Sequence, residues 1–179
     1  MPTTATPTAS QTRTLPSPKQ QFLDAFEREH EKTMRVLRAY PAAKSELRPH
    51  AKCKTARELA WMFVLELGTA EKVLTTGFDW SSPPRFPPAP ASLEAVLGAI
   101  EQGHQRVGDL LRGAGEDELF ETVKFFTGPG TIEDMAKMQF LWMMLSDQIH
   151  HRGQFTIYLR MADGKVPSVY GPTLDEPWF

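Results

Sequence analysis

The sequence predicts an all-α protein, an up-down four-helix bundle. Four segments carry apolar residues at helical spacing, proline- or glycine-rich stretches separate them, and no credible strand-rich region lies between. At 179 residues the chain has the length of one domain. Residues 1–16 are expected to form a disordered tail and 17–179 the bundle domain.

Each helix has its own start and stop signals. The first opens at Ser17-Pro18-Lys19-Gln20, a capping-box pattern with proline at the first helical position. Its stripe runs Phe22, Phe26, Leu37 and Tyr40, and Pro41 ends it. The second opens at Thr55-Ala56-Arg57-Glu58, follows Leu59, Phe63, Leu67, Ala70, Val73 and Leu74, and stops near Gly77. Trp61 and Leu65 lie off that stripe, so a partner subunit or a covering loop is expected on this second face. Residues 79–90 are too rich in proline for helix or sheet interior.

The third helix is expected from near Ser92, along Leu93, Leu97, Ile100, Val107 and Leu111, to Gly113. Residues 116–130 read as a connection. The fourth helix is expected from near Thr131 to about Met161, apolar almost all round, with Glu133 and Asp134 in its first turn, where carboxylates favour the helix dipole. Gly153 inside it implies a close helix contact or a ligand against the backbone.

Composition excludes some classes of function. Lys plus Arg is 20 and Asp plus Glu is 22, a net charge of −2, which provides no basic footprint for nucleic acid. No apolar run is long enough to cross a bilayer, and the N-terminal stretch has no secretory h-region, so a cytoplasmic protein is expected. The one cysteine, Cys53, lies between Lys52 and Lys54; it reads as a surface thiol before a helix, with a nucleophile as the alternative.

Polar residues that interrupt apolar stripes mark candidate sites, because bundles build ligand sites from inward-facing side chains. His30, Glu66 and His104 interrupt the first three stripes. On the fourth, Asp147, His151, Gln154 and Tyr158 share a face, and Asp147 and His151 stand one turn apart. With strict up-down-up-down alternation these midpoints meet at one height. The resulting nitrogen and carboxylate donors suit Zn, Ni, Fe or Mn. The competing reading is that His30 and His104 are hydrogen-bonded core histidines, and that Glu66 sits at the stripe's rim or pairs with an arginine.

The run DQIHHRGQFTIYLRMADGKVPSVYG, starting at Asp147, resembles the C-terminal signature of the DinB/YfiT-like family. FEREHEKTMRVLRAYP, TARELAWMFVLE and VKFF add weaker matches. The resemblance implies a dimeric four-helix bundle holding a divalent metal through three histidines, and in some relatives transferase or isomerase chemistry with small thiols. The second histidine of the family's His-x3-His pair falls on His151, the first on Asp147, and the helix-two histidine on Met62. A thioether is a poor ligand for a borderline divalent ion. Either Glu66, one turn on, supplies the missing ligand, or metal is bound weakly or not at all. Two functions follow: a metal-dependent enzyme of thiol-transferase or hydrolase type, with His150 or Tyr158 as proton donor, or a non-catalytic dimeric module binding a small molecule. A homodimer is expected in both.

Overall fold

The computed structural model describes residues 15–82 and 85–179. The expected N-terminal tail therefore lies outside the described residues, apart from its last two. Four helices form: α1 (Pro18–Arg38), α2 (Ala56–Leu74), α3 (Leu93–Gly113) and α4 (Lys137–Met161). Ser17 caps α1 by accepting from the Gln20 N–H, while the Gln20 side chain turns to Asp24 instead of closing the box. Thr55 and Glu58 make both bonds of a capping box on α2.

Side-chain contacts fix the helix directions. Phe22 and Glu29 of α1 meet Trp142 and Arg152 of α4, so these helices are parallel. Arg112 of α3 bonds Glu27 and Lys19 reaches the Arg112 carbonyl, whereas Arg38 pairs with Glu101, so α3 is antiparallel to α1. The helices thus run up, down, down, up rather than in strict alternation. Two parallel neighbours in sequence, α2 and α3, need a connection that returns the length of the bundle, and the proline-rich segment provides it. Trp80 Nε1 donates to the Lys124 carbonyl, Trp61 Nε1 to Pro87 and Arg57 to Ala89 and Pro90. This segment is the cover that Trp61 required.

The start of the last helix differs from expectation. Thr122–Gly128 (β1) and Thr131–Ala136 (β2) form an antiparallel hairpin, and α4 begins only at Lys137. Gly130 turns the chain with φ +70°, a conformation glycine adopts without penalty. Glu133 and Asp134 are consequently strand residues facing solvent, opposite Phe125 and Lys124, and do not act on a helix dipole. Gly153 is also corrected: it is exposed, and a Cβ there would meet nothing within 4 Å.

One core joins the four helices, with Phe22, Phe26, Phe63, Ile100, Leu141 and Phe155 at its centre. Two charged residues lie inside it. Arg152 is 2% exposed and Glu29 6%. The guanidinium donates to Glu29 Oε2 at 2.8 Å, to the Glu29 carbonyl at 3.1 Å and to Thr33 Oγ1 at 3.3 Å. Tyr170, from the C-terminal segment, bonds both partners. Burial works against the Glu29 charge, but hydrogen bonds from Tyr170, Lys32 and Arg152 outweigh it and hold its pKa at about 2.

Removing the guanidinium leaves this carboxylate without its buried cationic partner. Arg152→Met is expected to cost about 3–5 kcal/mol at pH 7 by urea denaturation. Because the folded pKa is depressed, the stabilisation from Glu29 is full above its unfolded value of 4.5 and is lost as pH falls towards about 2. The gap between wild type and Arg152→Met should therefore narrow over that acid range, and a gap constant from pH 6 to pH 3 would contradict the assignment.

Candidate metal centre

Glu66 projects from the α2 turn after Met62, on the side of that helix that faces α4. From α4, Asp147 and His151 come one turn apart on the opposing side. His151 Nε2 is 3.2 Å from Glu66 Oε1, and His151 Nδ1 is 3.9 Å from Asp147 Oδ1. One donor atom from each of the three residues lies within 4.8 Å of the others. The Glu66–His151 approach is close but not aligned as a hydrogen bond. Both Glu66 oxygens and His151 Nδ1 are buried without a hydrogen-bond partner, and so is Nε2 of neighbouring Gln148.

Buried polar atoms left unpaired are costly, so such a group needs a reason. The reason here is electrostatic. Burial first, and then the neighbouring Asp147 carboxylate, raise the Glu66 pKa to about 9, with Gln148 only partly offsetting them. Burial likewise lowers the His151 pKa, against the opposing pull of Asp147. Left alone, the group holds a neutral carboxylic acid beside a neutral imidazole. One imidazole and two carboxylates are donors for a borderline or hard divalent ion, and the unpaired Glu66 oxygens and His151 Nδ1 are atoms such an ion would satisfy. The residues fit a metal.

The structure splits the remaining candidates. His30 and His104 stack on one another with ring centroids 3.6 Å apart, between α1 and α3. They stand apart from Glu66 because α1 is diagonal to α2. His104 also stacks on Phe26, and burial holds both imidazole pKa values at about 4. This pair reads as packed core histidines. His150 is exposed and shares a hydrogen bond with Gln154 at 2.9 Å. Tyr158 donates its hydroxyl proton to the Lys54 carbonyl at 3.0 Å.

Two hollows flank the centre. One, of about 530 Å³, is lined by Met62, Leu65, Glu66, Phe140, Asp147 and His150 among others. The second, of about 540 Å³, is lined by Cys53, Lys54, His151, Gln154 and Tyr158. Glu66 and Asp147 thus open to one side and His151 to the other. The hairpin's Phe125 and the crossover's Phe86, not named as site residues from the sequence, complete the first cavity. Their only signal is that large aromatics stand in connections.

This fold and donor set define a helical-bundle protein with a candidate divalent-metal centre. The sequence matches the DinB family model over residues 1–177, and the chain belongs to the DinB family. An uncharacterized protein of Bacillus subtilis (strain 168), YrdA, is 25% identical over 157 residues, 87% of this chain and 89% of YrdA. A DinB-like protein of Bacillus cereus ATCC 10987 superposes with a TM-score of 0.67 at 25% identity, over 84% of this chain and 97% of that one. The DinB-like protein YjoA of B. subtilis gives 0.65 at 14% identity, over 89% and 99%, which shows the fold alone.

The raised Glu66 pKa has a measurable consequence. In chelator-treated protein Glu66 ionises near 4.5 when unfolded and near 9 when folded, so the folded state binds the extra proton between them. Stability then falls as pH rises through that window. Glu66→Gln should flatten this slope and raise the melting temperature at pH 8. An unchanged slope would show that Glu66 is not the buried acid.

Proposed function

We propose that the protein binds a divalent metal through Glu66, Asp147 and His151 and uses it to activate a small-molecule substrate, in chemistry of thiol-transferase or hydrolase type. The observation that carries this reading is the convergence of three donor residues, two of which, Glu66 and His151, hold buried atoms with no hydrogen-bond partner. A bound ion supplies Lewis acidity, which makes a nucleophile available near neutral pH. The chain's own residues supply the rest. Glu66 gives up a proton when an ion takes its oxygens. Asp147, with a side chain 55% exposed, keeps the centre open to incoming ligand. His150 sits on the rim of the first cavity, within reach of a proton leaving it. Tyr158 is committed to Lys54, so His150 is the stronger proton carrier.

Met62 supports a substituted ligand set rather than a lost one. It lines the same cavity as Glu66, one turn away, so the carboxylate stands close to where the family's histidine would. The proposal extends to a cytoplasmic homodimer with no nucleic-acid partner. Trp142, Met143, Ile157 and Met161 leave 40% or more of their surfaces exposed along α4, an apolar face suited to a second copy. No helix among the described residues is long and apolar enough to cross a membrane.

Elemental analysis of zinc-equilibrated protein is expected to find near-stoichiometric metal. Glu66→Ala, Asp147→Ala and His151→Ala should each weaken zinc at least about tenfold, the scale set by losing even an outer-sphere partner. Met62→Ala should leave it unchanged. Absence of zinc, nickel and manganese in the parent would favour a non-catalytic binding module. Light scattering at micromolar concentration should give twice the 20.2 kDa chain mass; a monomer mass would refute the dimer.

A further inference from the structure

The cavity on the Glu66 side has a chemical character of its own. Its walls are Met62, Leu65, Phe86, Phe125, Phe140 and Met144. Among the described residues no lysine or arginine lines it. The hydroxyls of Thr69 and Ser146 donate within their own helices, to the Leu65 and Trp142 carbonyls at 2.7 and 2.8 Å, so they can only accept from a ligand. The stronger polar groups facing a ligand are Glu66, Asp147 and His150. On α4 the lining passes from apolar at Phe140, Met143 and Met144 to polar at Asp147 and His150 one to two turns later, while Met62 and Leu65 of the oppositely directed α2 add apolar wall beside the polar groups. A ligand with phosphate or several hydroxyls along its body, away from the metal centre, would find no counter-ion and few hydrogen-bond partners on these walls, and each unpaired polar group would weaken its binding.

The crossover is fastened at Trp80 and Pro87 by the indole N–H groups of Trp80 and Trp61, and Phe86, beside the second tie, lines the cavity. A hollow of about 530 Å³ lies in the size range of small-ligand sites.

We infer that the ligand of this site is an amphiphile, with an aliphatic or aromatic body in the Met62–Phe140 cavity and a single polar head group at Glu66 and Asp147. The inference rests on the proposed metal centre for the role of the head group, and on the cavity walls for the body. A hydrophilic thiol carrying sugar or phosphate groups does not match this lining.

The test is calorimetric titration of the full-length protein, zinc-loaded and chelated, with the straight-chain carboxylates acetate, butanoate, hexanoate and octanoate. Affinity of the zinc-loaded protein should rise roughly three- to fourfold for each added methylene, the increment for full burial of that group. Phe86→Ser lies in the crossover, outside the helical core, and should reduce the gain for octanoate specifically. Leu65→Arg should flatten the series, with circular dichroism confirming its helix content. Asp147→Ala should weaken every member by a similar factor and leave the increment unchanged. Zinc is measured on the same samples. Bound zinc with a flat series overturns the amphiphile and leaves the metal proposal standing; a steep series in protein that never binds zinc does the reverse.

Discussion

The buried Arg152–Glu29 pair is the constraint on which the geometry of the centre depends. Arg152 is driven into the core by its bonds to α1, and a helical residue cannot face two ways. Fixing Arg152 towards α1 therefore turns its neighbour His151, about 100° round the helix, towards α2 and Glu66. Tyr170 extends the clamp to the C-terminal segment, so the tail is fastened to the same pair. Ion pairs in cores are often no more stable than the apolar side chains that would replace them. What this pair contributes is a rotation and a register for α4.

The two buried carboxylates show how environment divides one chemical group into two roles. Glu29 receives donors from three side chains and stays ionised far into acid. Glu66 receives none of comparable strength, faces a second carboxylate, and retains its proton well above neutrality. A structural carboxylate is satisfied within the chain. A carboxylate kept for a ligand is left wanting one, and the unpaired oxygens of Glu66 fit the second description.

Most of the fold was legible in the sequence because caps and stripes are local. Ser17, Thr55 and Ser92 stand at the helix starts, and the stripe residues of α2 are all buried. The hairpin was not, because Thr131–Ala136 carries acids that suit a helix start equally well; what decides is pairing with Val123–Phe126, which no local pattern in β2 reveals. The alternation Val123 in, Lys124 out, Phe125 in was the available clue. At the centre, Glu66, Asp147 and His151 emerged from stripe positions and do converge. His30 and His104 share the helical height but not the helix neighbours, and height alone could not distinguish them. Arg152 was missed as a core residue although it continues the spacing of Leu145, Gln148, Phe155 and Leu159, because an arginine on an apolar stripe reads as solvated until its partner is found. That partner, Glu29, holds the corresponding place in α1 beside His30, which is only half-buried.

X-ray absorption at the zinc edge of the loaded protein tests the central claim most directly. The ligand set read from the structure requires a first shell of nitrogen and oxygen only, near 2.0–2.2 Å, with outer-shell scattering from one imidazole. A sulfur contribution near 2.3 Å would bring in Cys53 or Met62, and scattering from two or three imidazoles would bring in histidines outside the Glu66–Asp147–His151 group. Either result would contradict the centre described.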